Sequence, residues 1–232
     1  MKAVFVTGTD TGVGKTLVVG LLARYLREQG HRTITQKWVQ TGLCEDPSDV
    51  ATHLALMGVG SEAIRGHEDD VNPYTFDFPA SPHLAAAREG VRIDPANIIA
   101  SFEKLSQTFD AVLVEGAGGI MVPLNEETLL IDVVETLKLP VLIVAGNKLG
   151  AINHTLLTVD ALQKRDIDVP GIVFNTLDPR ADEAILRDNP GIVQTFARLP
   201  ILGSLPWTED SEALYGQFRA MAQELWTRLT RM

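Results

Sequence analysis

Apolar runs of roughly four to eight residues recur along the chain at Ala3–Thr7, Thr33–Val39, Ala111–Glu115, Val141–Ala145 and Val169–Phe174, with a shorter one near Ile201. Each is bounded by turn signals, the pattern of strands buried on both faces of a parallel sheet. Between them, apolar positions fall at helical spacing over Lys15–Gln29, Ser48–Met57, Asp94–Thr108, Glu126–Leu137, Ala151–Lys164, Arg180–Asp188 and Glu209–Arg228. Alternation of strand and helix predicts right-handed βαβ units and an α/β fold with a doubly wound, mostly parallel sheet. The stretch from Gly58 to Pro82 has little periodicity and holds Pro73, Pro79 and Pro82, so it is expected to be a long ordered loop or lid. Trp38 and Trp207 are expected to pack.

The first strand runs into Gly8-Thr-Asp-Thr-Gly-Val-Gly-Lys-Thr16 and then into a helix. Small residues let successive backbone N–H groups converge on an anion at the positive end of that helix. In such a loop Lys15 reaches the β- and γ-phosphates and the Thr16 hydroxyl ligates magnesium. The spacing departs from G-x-x-x-x-G-K-[ST], because Thr9 stands where the first glycine belongs and Gly8 comes one residue early. A glycine-rich turn that binds nothing is the competing reading. The loop refines the fold class to a P-loop NTPase-like three-layer α/β/α arrangement.

At 232 residues the chain fits one domain spanning 1–232. Hydrophobic residues at 45% and charged ones at 22% are globular composition. A net charge of −10 provides no basic face for a nucleic acid or an anionic membrane. No apolar segment approaches the roughly 18 residues of a membrane span, and the N-terminus enters a strand rather than a signal peptide, so the expectation is cytoplasmic. The one cysteine, Cys44, excludes an internal disulfide framework and reads as an incidental thiol in a polar loop.

In doubly wound sheets ligands gather beyond the carboxyl ends of the strands. Glu115 ends a buried strand and opens the turn Gly116-Ala-Gly-Gly119, where a nucleotide's magnesium could be held; a capping or solvated acid is the alternative. Asp49 is a second metal ligand or simply an acid in the first turn of a helix. Lys37 precedes the polar turn Gln40-Thr41-Gly42 and could stabilise charge on a transferring phosphoryl group, or could be a lysine reaching from a strand end to solvent. Lys148 in Gly146-Asn-Lys-Leu-Gly150 carries the same two readings. The five histidines show no paired metal spacing, and none is assigned a catalytic part.

Gly8 to Thr16, Lys37-Trp-Val-Gln-Thr-Gly42, Val71-Asn-Pro-Tyr-Thr-Phe76 with Ser81-Pro-His83, Val114-Glu-Gly-Ala-Gly-Gly119 and Lys148-Leu-Gly-Ala-Ile-Asn-His154 together resemble the dethiobiotin synthetase family, in order and over nearly the whole chain. That family's phosphate loop shares the longer spacing. The resemblance implies an ATP-dependent, magnesium-requiring cyclo-ligase that converts 7,8-diaminononanoate and CO2 to dethiobiotin, ADP and phosphate through a carbamate and a carbamic–phosphoric anhydride. It implies Lys15 and Lys37 as catalytic groups and Thr16, Asp49 and Glu115 as magnesium ligands. Nucleotide contacts would come from Gly12, Val13, Gly14, Lys15, Thr16, Leu17, Asp49, Glu115, Gly116, Ala117 and Gly118, with Asn175 and Thr176 at adenine and Ser204, Leu205 and Pro206 covering the base. Thr11, Lys37, Thr41, Ser81, Gly118 and Gly119 would face the diamine. Lys148, Leu149, Gly150 and Asn153 would receive the substrate carboxylate, from the neighbouring subunit of a homodimer.

Two positions depart from the family: Trp38 stands where proline often follows the lysine, and Gly12 where an acidic residue often stands. Neither removes a group the chemistry needs. A glutamine-dependent amidating synthetase of the same wider fold is a rival, but its glutaminase domain and Cys nucleophile have no counterpart here. A dimeric regulatory ATPase of the partitioning or septum-positioning type is the other; its lysine near the start of the loop is replaced by Thr9, Asp10 and Thr11.

Overall fold

The computed structural model describes residues 2–42 and 48–231; Cys44 lies outside them. A parallel six-stranded sheet is built from β1 (Lys2–Gly8), β2 (Thr33–Lys37), β5 (Ala111–Gly119), β6 (Val141–Gly146), β7 (Gly171–Asn175) and β8 (Ile201–Leu205), in the order β2-β5-β1-β6-β7-β8. The chain fills one side of β1 with β5 and β2, then crosses to the other side with β6. The strand order therefore reverses at the carboxyl end of β1, where a crevice opens in this topology.

Alternation along β1 assigns its two faces. Val4 and Val6 pack with α1 (Lys15–Glu28) and α9 (Ser211–Arg231), through side chains such as Val18, Leu22, Leu214 and Phe218. Phe5 turns to the opposite core with Val112 and Val114, covered by α2 (Asp49–Leu56), α5 (Pro95–Thr108), α6 (Leu130–Thr136), α7 (Ala151–Gln163) and α8 (Glu183–Ala197). The result is a three-layer α/β/α P-loop fold. The starts of α2 and α5 are set by side-chain caps: Ser48 Oγ accepts from Ala51 N at α2, and Asp94 Oδ1 accepts from Ala96 N beside Pro95 at α5.

Several boundaries differ from the sequence expectation. The run Thr33–Val39 breaks at Trp38: β2 ends at Lys37, and β3 (Val39–Thr41) leaves the main sheet to pair with β4 (Tyr74–Phe76). Trp38 packs as expected, fully buried against Phe5 with its Nε1 donating to Gln36 Oε1 at 3.1 Å. Trp207 does not; it is 45% exposed. The stretch Gly58–Pro82 is more than a loop: it holds a 3-10 turn (Ser61–Ile64), α3 (Glu68–Val71) and β4, and it leads into α4 (Pro82–Arg88), which the sequence pattern did not announce. These pieces are too short to show a period.

Helix α6 begins at Leu130 rather than Glu126, because Asn125 Oδ1 accepts from both Glu127 N and Thr128 N and holds that segment in a turn. Helix α8 continues past Asp188 through Pro190. Proline cannot donate to the carbonyl four residues earlier, and that carbonyl, Leu186 O, instead accepts from Asn147 Nδ2 at 3.0 Å. Among the described residues no helix is long and apolar enough to cross a membrane.

Candidate active site

The phosphate loop is shaped by two glycines. A Cβ on Gly8 would lie 2.6 Å from Asp10 O and 2.8 Å from Val13 Cγ2, so the chain can fold back over itself only without one. Gly14 adopts φ +93°, a left-handed conformation, and a Cβ there would collide with the Asn175 side-chain amide. Gly8 thus supplies the close approach even though it stands one residue early. Asn175 Nδ2 donates to Val13 O at 3.0 Å, bracing the loop from β7.

Register brings the charged groups together. Lys37, the last residue of β2, pairs with Glu115 of β5, which also pairs with Val6 of β1; β5 does not end at Glu115 as the sequence suggested but runs on through Gly119. Lys37 Nζ sits 2.7 Å from Glu115 Oε1 and 2.6 Å from Asp49 Oδ2, and donates to Gly116 O at 3.3 Å. Thr16 Oγ1, at the start of α1, lies 3.0 Å from Asp49 Oδ1 and 3.1 Å from Glu115 Oε1. Asp49 enters from the first turn of α2, with its backbone N–H donating to Gln40 Oε1. Asp49 is therefore more than an acid at a helix start, and Lys37 does not reach to solvent.

Burial and charge set the titration of this cluster. Burial alone would raise Glu115, but the Lys37 ammonium and the hydrogen bond from His53 outweigh it and hold the carboxyl at about 2. Burial pulls Lys37 down, and Glu115 and Asp49 overcome it, leaving Lys37 raised and charged. For Lys15 the compensation is incomplete: burial first, then the Lys37 charge, lower it to about 8, and the carboxylates of Glu115, Asp49 and Asp10 offset only part of that. Its Nζ donates to Asp10 O at 3.3 Å, within the loop.

A cavity of about 570 Å³ opens over this cluster. Of the residues singled out from sequence, Thr11, Gly12, Lys15, Thr16, Lys37, Thr41, Asp49, Ser81, Glu115, Ala117 and Gly118 line it. Val39, Gln40, Pro79, Ala80, Pro82 and Val122 complete the wall and were not anticipated as site residues. Val13 is buried behind the loop, and Gly116 offers its carbonyl to Lys37. Thr176 N donates to Leu205 O at 2.9 Å, joining the ends of β7 and β8 beside Ser204 and Pro206. Lys148 Nζ comes within 3.5 Å of Asp10 Oδ2, so its turn flanks the loop. Leu149 is 84% exposed, and Asn153 is exposed on the first turn of α7, outside the cavity wall. A larger cleft of about 650 Å³ lies at the opposite end of the sheet, where Val169, Pro170 and Pro200 precede β7 and β8, away from this cluster.

His53 was not found from sequence. It is fully buried on α2, with Nε2 2.7 Å from Glu115 Oε2. Its spacing of four from Asp49, which places both on one helix face, was the available signal.

A family model described as an AAA domain matches residues 2–214. The ATP-dependent dethiobiotin synthetase BioD of Chlorobaculum tepidum is 44% identical over 206 residues, covering 87% of this chain and 83% of that protein. The ATP-dependent dethiobiotin synthetase BioD of Lysinibacillus sphaericus is 38% identical over 234 residues, covering 100% and 97%. Among solved structures, the cell division ATPase MinD of Pyrococcus furiosus superposes with a TM-score of 0.59 at 18% identity, covering 98% of this chain and 99% of that one. The MinC:MinD cell division complex of Aquifex aeolicus gives 0.61 at 15%, covering 100% and 95%. At that identity the structural likeness concerns the fold alone. Sequence identity of 38–44% over most or all of the chain, carried on a P-loop fold, makes this chain a member of the ATP-dependent dethiobiotin synthetase family.

Proposed function

We propose that the chain, folded as one domain, catalyses ATP-dependent carboxylation and ring closure of 7,8-diaminononanoate with CO2, giving dethiobiotin, ADP and phosphate. The observation that carries this reading is the placement of Lys37. Its ammonium is fixed between Asp49 and Glu115 beside Thr16, on the wall of a cavity that the phosphate loop also lines. There it can offset charge on a carbamate and on a phosphoryl group at once.

The chemistry divides into three steps. One amine attacks CO2 and loses a proton, forming a carbamate. A carbamate oxygen attacks the γ-phosphorus and ADP leaves, producing the mixed anhydride. The second amine attacks the anhydride carbon, loses a proton and expels phosphate as the cyclic urea closes. Lys15 and Lys37 serve the middle step by holding the negative oxygens together, and the backbone N–H groups of the loop hold the β-phosphate. Thr11, Thr41, Ser81 and the Gly118–Gly119 backbone would orient the diamine along the remaining cavity wall.

Thr16, Asp49 and Glu115 fit magnesium. Octahedral magnesium binds oxygens at about 2.0–2.1 Å, which separates adjacent ligands by about 2.9 Å. The Thr16 hydroxyl lies 3.0 and 3.1 Å from the two carboxylate oxygens, close to that spacing. Bound there with the nucleotide, the ion would withdraw charge from the β- and γ-phosphate oxygens. Asn175 with Thr176, and the Ser204–Pro206 turn, would border adenine.

The enzyme would act as a cytoplasmic homodimer. Asn153 and Leu157 stand four apart on α7 and Leu149 lies in the turn just before it; Leu149 and Leu157 are 84% and 60% exposed. An apolar strip flanking Asn153 suits an interface that presents Asn153, with Lys148 and Gly150, to the partner's substrate. The regulatory-ATPase alternative has no better support, since the likeness to MinD is one of fold. Phosphate release from MgATP and bicarbonate, measured with and without 7,8-diaminononanoate, tests the reading. Diamine-dependent release with dethiobiotin detected by mass spectrometry is expected; hydrolysis indifferent to the diamine, without product, would overturn it.

A further inference from the structure

Glu115 has two oxygens with different tasks. Oε1 faces Lys37 Nζ at 2.7 Å and Thr16 Oγ1 at 3.1 Å, on the cavity side. Oε2 faces away, toward His53 Nε2 at 2.7 Å, in a fully buried contact. An ionised carboxylate can only accept, so Nε2 carries the hydrogen of this bond. The other ring nitrogen, Nδ1, is buried and has no hydrogen-bond partner among the described residues. The imidazole thus leaves half of its polar capacity unmet, which an apolar side chain of the same size would avoid. Among the described residues its side chain has one polar contact, with Glu115.

We propose that His53 is a positioning residue for the divalent cation: by holding Oε2 it fixes the Glu115 carboxylate so that Oε1 is presented beside Thr16 and Asp49. The inference rests on the reading of Thr16, Asp49 and Glu115 as the magnesium ligands. His53 also ties two ligand-bearing elements together. It stands four residues after Asp49 on the same face of α2, so one helix delivers Asp49 to the cluster and anchors itself to Glu115 of β5. Without that anchor, both the carboxylate plane and the helix carrying Asp49 lose a constraint. Partners that orient a metal ligand from behind are typically worth about 10–100-fold in metal affinity.

The test is Mn2+ binding in the presence of saturating ADP, followed by the electron paramagnetic resonance of free Mn2+, with no turnover involved. His53→Leu is expected to weaken Mn2+ binding by about 10–100-fold, while ADP affinity in EDTA stays at the wild-type value. His53→Gln, whose amide nitrogen can donate from the same reach, is expected to restore Mn2+ affinity. Adding His53→Leu to Glu115→Gln is expected to cost no more than Glu115→Gln alone. Wild-type Mn2+ affinity in His53→Leu, or a loss that persists undiminished in the Glu115→Gln background, would overturn the proposal. Should His53→Leu not fold, His53→Gln decides, because a tenfold loss there contradicts a role that needs only the donor. Equal Mn2+ affinity in wild type and Thr16→Ala would sink the metal reading itself, and this proposal with it; a Thr16-dependent site indifferent to His53 would sink the proposal alone.

Discussion

Replacing Lys37 with methionine removes a charge from the cluster while keeping its volume, and it should change stability as well as turnover. Glu115 titrates at about 2 against an ordinary 4.5, although burial alone would push it up. Each tenfold in acidity corresponds to about 1.4 kcal/mol, so the ionised carboxylate is favoured by its folded surroundings by about 3 kcal/mol. Among the groups that lower it, the Lys37 charge contributes most. The expected loss in Lys37→Met is about 3 kcal/mol at pH 7, at the low end of the cost of breaking a buried pair, because His53 and Thr16 still donate to Glu115. For a chain of this size that is about 6–12 °C in melting temperature.

The sign with pH is fixed by the direction of the shift. In the wild-type protein the Glu115 contribution is present above 4.5 and is lost as pH falls toward about 2. In the variant, burial without the ammonium raises the carboxyl above 4.5, so the variant gains on protonation and the difference between the two proteins shrinks below about pH 5. Magnesium, with nucleotide, should restore part of the loss at pH 7. Denaturant unfolding at pH 3.5 and pH 7.5, with and without MgADP, measures all three. An unchanged midpoint at pH 7.5, or an equal loss at both pH values, would refute the coupling. Turnover should fall about 100–1,000-fold, the usual cost of removing one charge-stabilising donor.

Other perturbations probe separate parts of the site. Lys15 titrates at about 8 in the free protein, and bound phosphates favour its charged form, so ATP affinity should hold below pH 8 and weaken by up to about tenfold per unit above it; calorimetric titration from pH 7 to 10 checks this, and a flat profile would refute it. Gly14→Ala forces a Cβ into a left-handed residue and onto the Asn175 amide, a cost of about 1–2 kcal/mol from the backbone alone; nucleotide affinity should fall by at least tenfold, and a wild-type dissociation constant would show that the loop tolerates it. Leu157→Glu places a carboxylate in the exposed strip on α7, so light scattering at micromolar concentration should report a monomer, and a persistent dimer would remove that strip from the interface.

What was legible in the sequence follows from how far each signal reaches. Apart from the edge strand β8, the main-sheet strands are buried on both faces over most of their length, so their apolar runs stand out, and residues at or just beyond their carboxyl ends line the cavity. Thr16, Lys37 and Glu115 were legible because each ends or follows such a run. The stretch Gly58–Pro82 was not, because helices of four and seven residues and a strand of three have no measurable period. The passage of α8 through Pro190 depends on Asn147, distant in sequence, accepting the role of donor to Leu186 O. His53 stayed hidden for the same reason: its meaning comes from Glu115, brought to it by packing across 62 positions. Asp49 remained ambiguous until α2 was seen to aim it at Lys37 and Thr16.

The most direct test of the central claim follows one oxygen. If a carbamate oxygen attacks the γ-phosphorus, bicarbonate labelled with oxygen-18, supplied with MgATP and 7,8-diaminononanoate and quenched before its label exchanges with water, must deliver one labelled oxygen into the released phosphate as dethiobiotin forms. Phosphate that takes its new oxygen from solvent instead would contradict the mechanism assigned to Lys15 and Lys37.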